Sequence, residues 1–139
     1  MFDVIIVALD GSEHSLKGLD YAYDLGLKYG SKLILLHAYR STSDLRGTEE
    51  FNQMVAKRKN EGDKIIKAAR KRLEDTAVEV EDDLLEGPAA NAIIRVAETR
   101  RADLVVMGSR GMGSLKGLIF GSVSTKVTHY ASCPVLVVR

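Results

Sequence analysis

This sequence predicts an α/β fold built on one parallel sheet, and three observations predict it. Five short apolar runs alternate with four amphipathic helical patterns along the 139 residues. Four of the five runs are near-continuous rather than alternating, as expected for strands covered by helices on both faces. Cap and turn residues fall at the junctions. The resulting β-α-β-α-β-α-β-α-β order requires a parallel sheet with right-handed crossovers, and no linker or repeat divides it.

The elements follow in order. The apolar runs are Val4 to Leu9, Leu33 to Ala38, Val78 to Leu85, Leu104 to Met107 and Val135 to Val138. The third begins Val78-Glu79-Val80-Glu81, an alternation that suits an edge strand with one wet face. The first helix is expected over Ser12 to Tyr29, with Leu16, Leu19, Ala22, Tyr23, Gly26 and Leu27 on its inner stripe. Ser12 is its natural N-cap and Gly30 its natural stop. The second runs from about Glu49 to Glu74, with Gly62 weakening its middle. Pro88 opens the third in its first turn, and that helix continues to Arg100. A fourth spans about Gly121 to Ala131, with Val123, Val127 and Tyr130 expected inward. Arg40 to Thr48 reads as a flexible loop.

Composition excludes several function classes. Lys plus Arg is 20 against 19 for Asp plus Glu, a net charge of +1, which does not suggest a chain built to coat nucleic acid or an anionic membrane. The basic runs at 57–59 and 70–72 are interleaved with acidic residues on one predicted helix and read as a solvated face. No apolar run approaches the ~18 residues of a membrane span. The start of the chain lacks the pattern of a secretory signal. The single cysteine, Cys133, permits no intramolecular disulfide. A soluble, cytoplasmic protein is expected, with Cys133 a small buried thiol rather than a reactive one.

In an open parallel sheet, ligands sit beyond the carboxyl ends of the strands, where the strand order reverses. The segment after the fourth strand carries five glycines between positions 108 and 121. Glycine permits positive φ and lets backbone N–H groups approach a ligand closely. The helix that follows offers unpaired N–H groups, a positive dipole end and the hydroxyls of Ser122, Ser124 and Thr125, a set suited to phosphate. After the first strand, Asp10 precedes Gly11 and heads a helix, so it reads as either a turn-capping or a ligand-binding carboxylate. The segment Gly108-x2-Gly111-x9-Gly121-Ser122 fits the ATP-binding signature of the universal stress protein family. The resemblance extends over the whole chain. It includes Ile5 to Ser12, Leu35-Leu36-His37-Ala38, Gly87-Pro88 before Ile93, and Ser132-Cys133-Pro134-Val135-Leu136-Val137-Val138.

The resemblance implies a three-layer fold with strand order 3-2-1-4-5 and an ATP site made of Ala8, Asp10, Ala38, Met107, Gly108, Gly111, Gly121, Ser122, Val123 and Ser124. Asp10 would contact the ribose or a metal-bridged phosphate, Ala38 and Met107 would line an adenine pocket, and Mg²⁺ or Mn²⁺ would accompany the nucleotide. It also implies a homodimer that pairs Val135 to Val138 across a twofold axis, because that apolar strand would be a sheet edge.

Other motifs fall away. No G-x-x-x-x-G-K-[ST] segment occurs. His14, His37 and His129 have no metal-ligand spacing, and His37 is expected to orient backbone near the site or pack at a strand end. Arg110 and Lys116 either screen phosphate or solvate the loop. Three functions stay open on residues alone: a nucleotide-dependent regulatory module of a stress response, a slow ATPase or phosphotransferase, and a ligand-free structural dimer. No convincing general base favours turnover.

Overall fold

The computed structural model describes residues 1–40, 47–111 and 120–139. The strands are β1 (Val4–Ala8), β2 (Lys32–Tyr39), β3 (Glu79–Glu86), β4 (Leu104–Gly108) and β5 (Val135–Val138). They alternate with helices α1 (Glu13–Tyr29), α2 (Glu49–Arg72), α3 (Ala89–Thr99) and α4 (Ser122–Tyr130). All strand pairs are parallel, and the order is β3-β2-β1-β4-β5. The chain therefore runs outward from β1 to β3 on one side, then returns past β1 to lay down β4 and β5. The reversal opens a crevice at the carboxyl ends of β1 and β4.

Strand alternation divides the core between the two faces. Ile5, Val7 and Leu9 point to one side and pack with Leu19 and Ala22 of α1 and with Ala69 of α2. Ile6 and Ala8 point to the other and pack with Ile93 and Val96 of α3 and with Val127 of α4. Ile5, Leu33, Leu35 and Val106 are fully buried. Each large aliphatic side chain removed from water contributes about 1.5–3 kcal/mol. These two apolar layers are what fix the strand ends in space. No described helix is long and apolar enough to cross a membrane.

The predicted caps hold at α1. Ser12 accepts a hydrogen bond from the Ser15 N–H, and Gly30 ends the helix in the left-handed region at φ 66°. Pro88 takes the N-cap position of α3, one residue before the helix rather than inside its first turn.

Two expectations about helix faces are corrected. Leu27 is exposed and Leu25 packs against the core in its place, because Leu27 lies about 140° around the helix from the buried Ala22. Tyr130 is 61% exposed: it is the last residue of α4, past the buried Val127, and its ring sits edge-on to His129. Gly62, the glycine expected to weaken the middle of the second helix, is buried within an unbroken α2. A Cβ there would stand 2.5 Å from Leu84 Cδ1 and 2.9 Å from His37 Cδ2, so the missing side chain is what lets α2 cross β2 and β3 closely. Of the loop expected over Arg40 to Thr48, residues 41–46 lie outside the described residues.

Candidate functional site

Two loops meet at the crevice. The first follows β1, where the Asp10 carboxylate accepts a hydrogen bond from the Ser12 N–H at 2.9 Å. Gly11 holds the turn at φ 83°, a conformation that favours glycine. Ser15 Oγ donates to the Ser12 carbonyl at 2.9 Å and accepts weakly from the Asp10 N–H at 3.4 Å. Asp10 is thus a turn-capping carboxylate that also lines the cleft. The second loop follows β4, and its described part returns at Phe120 to start α4.

All ten residues singled out from the sequence line one cleft: Ala8, Asp10, Ala38, Met107, Gly108, Gly111, Gly121, Ser122, Val123 and Ser124. Parallel pairing brings Ala8 and Met107 to neighbouring strand ends, while Ala38 closes the far side on β2. Sequence reasoning missed the third wall. Ala89 and Ile93 of α3 and Leu36 of β2 complete an apolar slot beside the polar loops. The sequence predicts a helix from Pro88 to Arg100, but nothing in its spacing says that its start reaches the crevice. Arg110 also lines the cleft, whereas Gly113, Lys116 and Gly117 lie outside the described residues.

The glycines work differently from the simple expectation. None of Gly108, Gly111 and Gly121 has positive φ; Gly121 is extended at φ −85°. What Gly108 and Gly111 supply is space. A Cβ on Gly108 would stand 2.7 Å from His14 Cβ and 3.0 Å from the Ser15 nitrogen, and one on Gly111 would collide with the Asp10 carboxylate. Both glycines let the two loops touch.

Helix capping divides the four helices into two pairs. Ser12 and Thr48 cap α1 and α2 through their side chains, but α3 and α4 begin at Pro88 and Gly121 with no side-chain cap. The first N–H groups of a helix have no partner within it, and they carry the positive end of its dipole. At α4 these groups belong to Ser122, Val123 and Ser124, all of which line the cleft.

The three hydroxyls expected at this helix end divide by role. Ser122 is exposed, with no hydrogen bond from its hydroxyl among the described residues. Ser124 is buried, and its Oγ donates to the Ser109 carbonyl at 2.8 Å and accepts from the Gly121 N–H at 3.1 Å. Thr125 Oγ1 donates to the Gly121 carbonyl at 2.8 Å. Ser124 and Thr125 therefore shape the helix start, and Ser122 presents a hydroxyl at its mouth.

His37 shares a hydrogen bond of 2.7 Å between its Nδ1 and the Leu9 carbonyl, which ties β2 to the residue just before Asp10. That meets the expectation of a backbone-orienting histidine. Among the described residues no cluster of three or more His, Cys, Asp or Glu side chains could hold a metal. Cys133 is half-buried against the core layer of α3 and α4, and burial, followed by the nearby Asp103 charge, raises its thiol pKa. A thiol so shifted is a weaker nucleophile at neutral pH.

Comparison with known proteins places this architecture. The family model for the universal stress protein family matches residues 1–139. A universal stress protein of Thermus aquaticus is 38% identical over 140 residues, with all of both chains covered. Among solved structures, the Methanocaldococcus jannaschii protein MJ0577 superposes with a TM-score of 0.88 at 29% identity, covering 99% of this chain and 96% of that one. A universal stress protein solved in complex with cAMP superposes at 0.66 with 26% identity, covering 99% and 97%. With its parallel sheet, strand order and family match over the full length, this chain belongs to the universal stress protein family.

Proposed function

We propose that this chain is an ATP-binding regulatory module of the stress response, with the nucleotide seated in the cleft between β1 and β4. One observation carries the reading: the start of α4, without a side-chain cap, opens on a cleft that also holds Asp10 and an apolar slot. An adenine ring suits the slot of Ala8, Leu36, Ala38, Ala89, Ile93 and Met107. Phosphates suit the N–H groups at the helix start and the Ser122 hydroxyl. The cAMP-bound relative supports an adenine nucleotide as the ligand class. Binding would change what the domain presents to a partner.

Mg²⁺ would enter with the nucleotide. Asp10 is the one carboxylate among the described residues that line the cleft, so phosphate oxygens would supply most of the ion's ligands. We place the protein in the cytoplasm, where a free thiol such as Cys133 stays reduced. A second copy pairs with the β5 edge, Val135–Val138, in an antiparallel arrangement.

The test is direct. Nucleotide released by denaturing the purified protein is identified by chromatography, and ATP binding is measured by titration calorimetry. Bound ATP supports the module, mostly ADP supports slow hydrolysis, and neither bound nucleotide nor measurable affinity rejects both. Gly121→Val should keep the fold, since φ −85° suits any residue, yet abolish ATP binding by filling the phosphate space. Asp10→Asn should weaken binding more in Mg²⁺ than in EDTA; equal losses would reassign Asp10 to the ribose.

A further inference from the structure

Ser109 is 1% exposed, and each of its polar groups is engaged. Its N–H donates to the Val138 carbonyl at 2.8 Å. Its carbonyl accepts from the Gly121 N–H at 2.7 Å and from Ser124 Oγ at 2.8 Å. Its hydroxyl shares a hydrogen bond of 3.2 Å with His14 Nδ1. The partners at the carbonyl are the N-cap and first turn of α4. The partner at the hydroxyl lies in the first turn of α1, four residues after Asp10. Both halves of the cleft therefore meet at one buried serine.

Gly108 makes this meeting possible. Its missing side chain leaves the space that the first turn of α1 occupies, with His14 Cβ only 2.7 Å from where a Cβ would lie. His14 does not itself line the cleft, and its spacing from His37 and His129 drew no attention to it. Backbone pairing and core packing position β1 and β4 but leave the loops beyond them to local contacts. The His14–Ser109 hydrogen bond is a side-chain contact between those loops across the crevice.

We propose that His14 is a positioning residue for the bound nucleotide: through Ser109 it sets the distance between the Asp10 turn and the phosphate-facing start of α4. The inference rests on the ATP-binding reading. A net hydrogen bond between partly buried groups is small, but leaving the buried Ser109 hydroxyl without its partner adds a desolvation cost. Because the Ser109 carbonyl still holds Gly121 and Ser124, the start of α4 stays with Ser109, and what loosens is its spacing from the Asp10 turn. The groups that hold phosphate lose their spacing, while the apolar slot on β1, β2 and α3 does not.

The experiment compares wild type, His14→Ala and His14→Asn, each binding Mg-ATP and adenosine, by titration calorimetry. Circular dichroism and thermal melting report the fold. Asparagine keeps a polar atom near the position of Nδ1. We expect His14→Ala to lose about tenfold in ATP affinity and less than twofold in adenosine affinity, and His14→Asn to recover most of the loss. Equal losses for ATP and adenosine, or no recovery with asparagine, would reduce His14 to a general structural residue and overturn the proposal. Unchanged ATP affinity in His14→Ala overturns it while leaving the ATP reading standing. A wild type that binds neither ligand removes the ATP reading and, with it, this one.

Discussion

The two edges of the sheet have opposite chemistry. β3 reads Glu-Val-Glu-Asp-Asp-Leu-Leu-Glu, and its acids are held by cations from its neighbours. Lys32 pairs with Glu81 at 2.6 Å and Glu79 at 3.3 Å, Arg100 pairs with Glu81 at 3.1 Å and Asp83 at 3.5 Å, and Arg70 pairs with Asp82 at 2.8 Å. Arg70 also donates to the Val80 carbonyl at 2.9 Å. β5 reads Val-Leu-Val-Val, half-buried, with no charge along its length. Charge on an edge strand is a device against unwanted strand pairing, and an apolar edge invites pairing. The same fold therefore covers one edge with charge and leaves the other without any, the edge at which the proposed second copy would pair.

The largest expected effect is at β5. Val137→Lys places two like charges near each other across a twofold edge pairing, which costs several kcal/mol, so dimer affinity should fall by about 100-fold or more. Sedimentation equilibrium at micromolar concentration should show a wild-type dimer and a variant monomer. A wild type that stays at 15.2 kDa rejects the pairing. The converse change sharpens the comparison. Combining Glu81→Val, Asp82→Val and Asp83→Val gives β3 the character of β5, and light scattering should then detect species larger than the dimer.

Next in size is packing behind the charged edge. Gly62→Val forces a side chain between α2 and the pair of Leu84 and His37, where a Cβ already comes within 2.5 Å. Overpacking of this kind costs about 1–3 kcal/mol, read as a lower midpoint in urea with the same slope. An unchanged midpoint would show that α2 can shift outward at no cost.

The smallest effect concerns the surface charges of α2. Arg72 grips Asp20 of α1 at 2.7 and 2.6 Å, and the hydrogen bond from Arg72 is the main cause that holds the Asp20 carboxyl below its usual range. Its folded pKa lies below the unfolded one, so the stabilisation is complete above the unfolded carboxylate value and is lost as pH falls through the folded value. Both side chains are about half exposed, and solvent screening limits the pair to less than about 1 kcal/mol. Asp20→Asn should therefore lower stability slightly at pH 7, with the gap closing below about pH 4. A gap that persists in acid would point to lost packing instead of lost charge.

The sequence by itself determined the element order, because apolar runs of strand length alternating with helical stripes leave few other arrangements. It also marked the capping roles of Ser12 and Gly30, and all ten residues that converge on the cleft. Asp10, the glycines and the serines at the start of α4 were legible because a spaced glycine motif and an aspartate at a strand end are local features, whereas Ala8, Ala38, Met107 and Val123 followed only from the family resemblance. Where a side chain points near the end of a helix was less legible: Leu27 lies about 140° around α1 from the buried Ala22, and Tyr130 is the last residue of α4, past the buried Val127.

Only the tertiary structure decided how the glycines act, because the space they provide is filled by residues far away in sequence, His14 against Gly108 and Asp10 against Gly111. Only it placed Ala89 and Ile93 in the third wall and drew Ser124 from a ligand-facing reading into a bond with Ser109. The physical reason is the same in each case. Local propensity depends on neighbours along the chain, whereas close approach and hydrogen-bond competition depend on which segments the crossovers bring together.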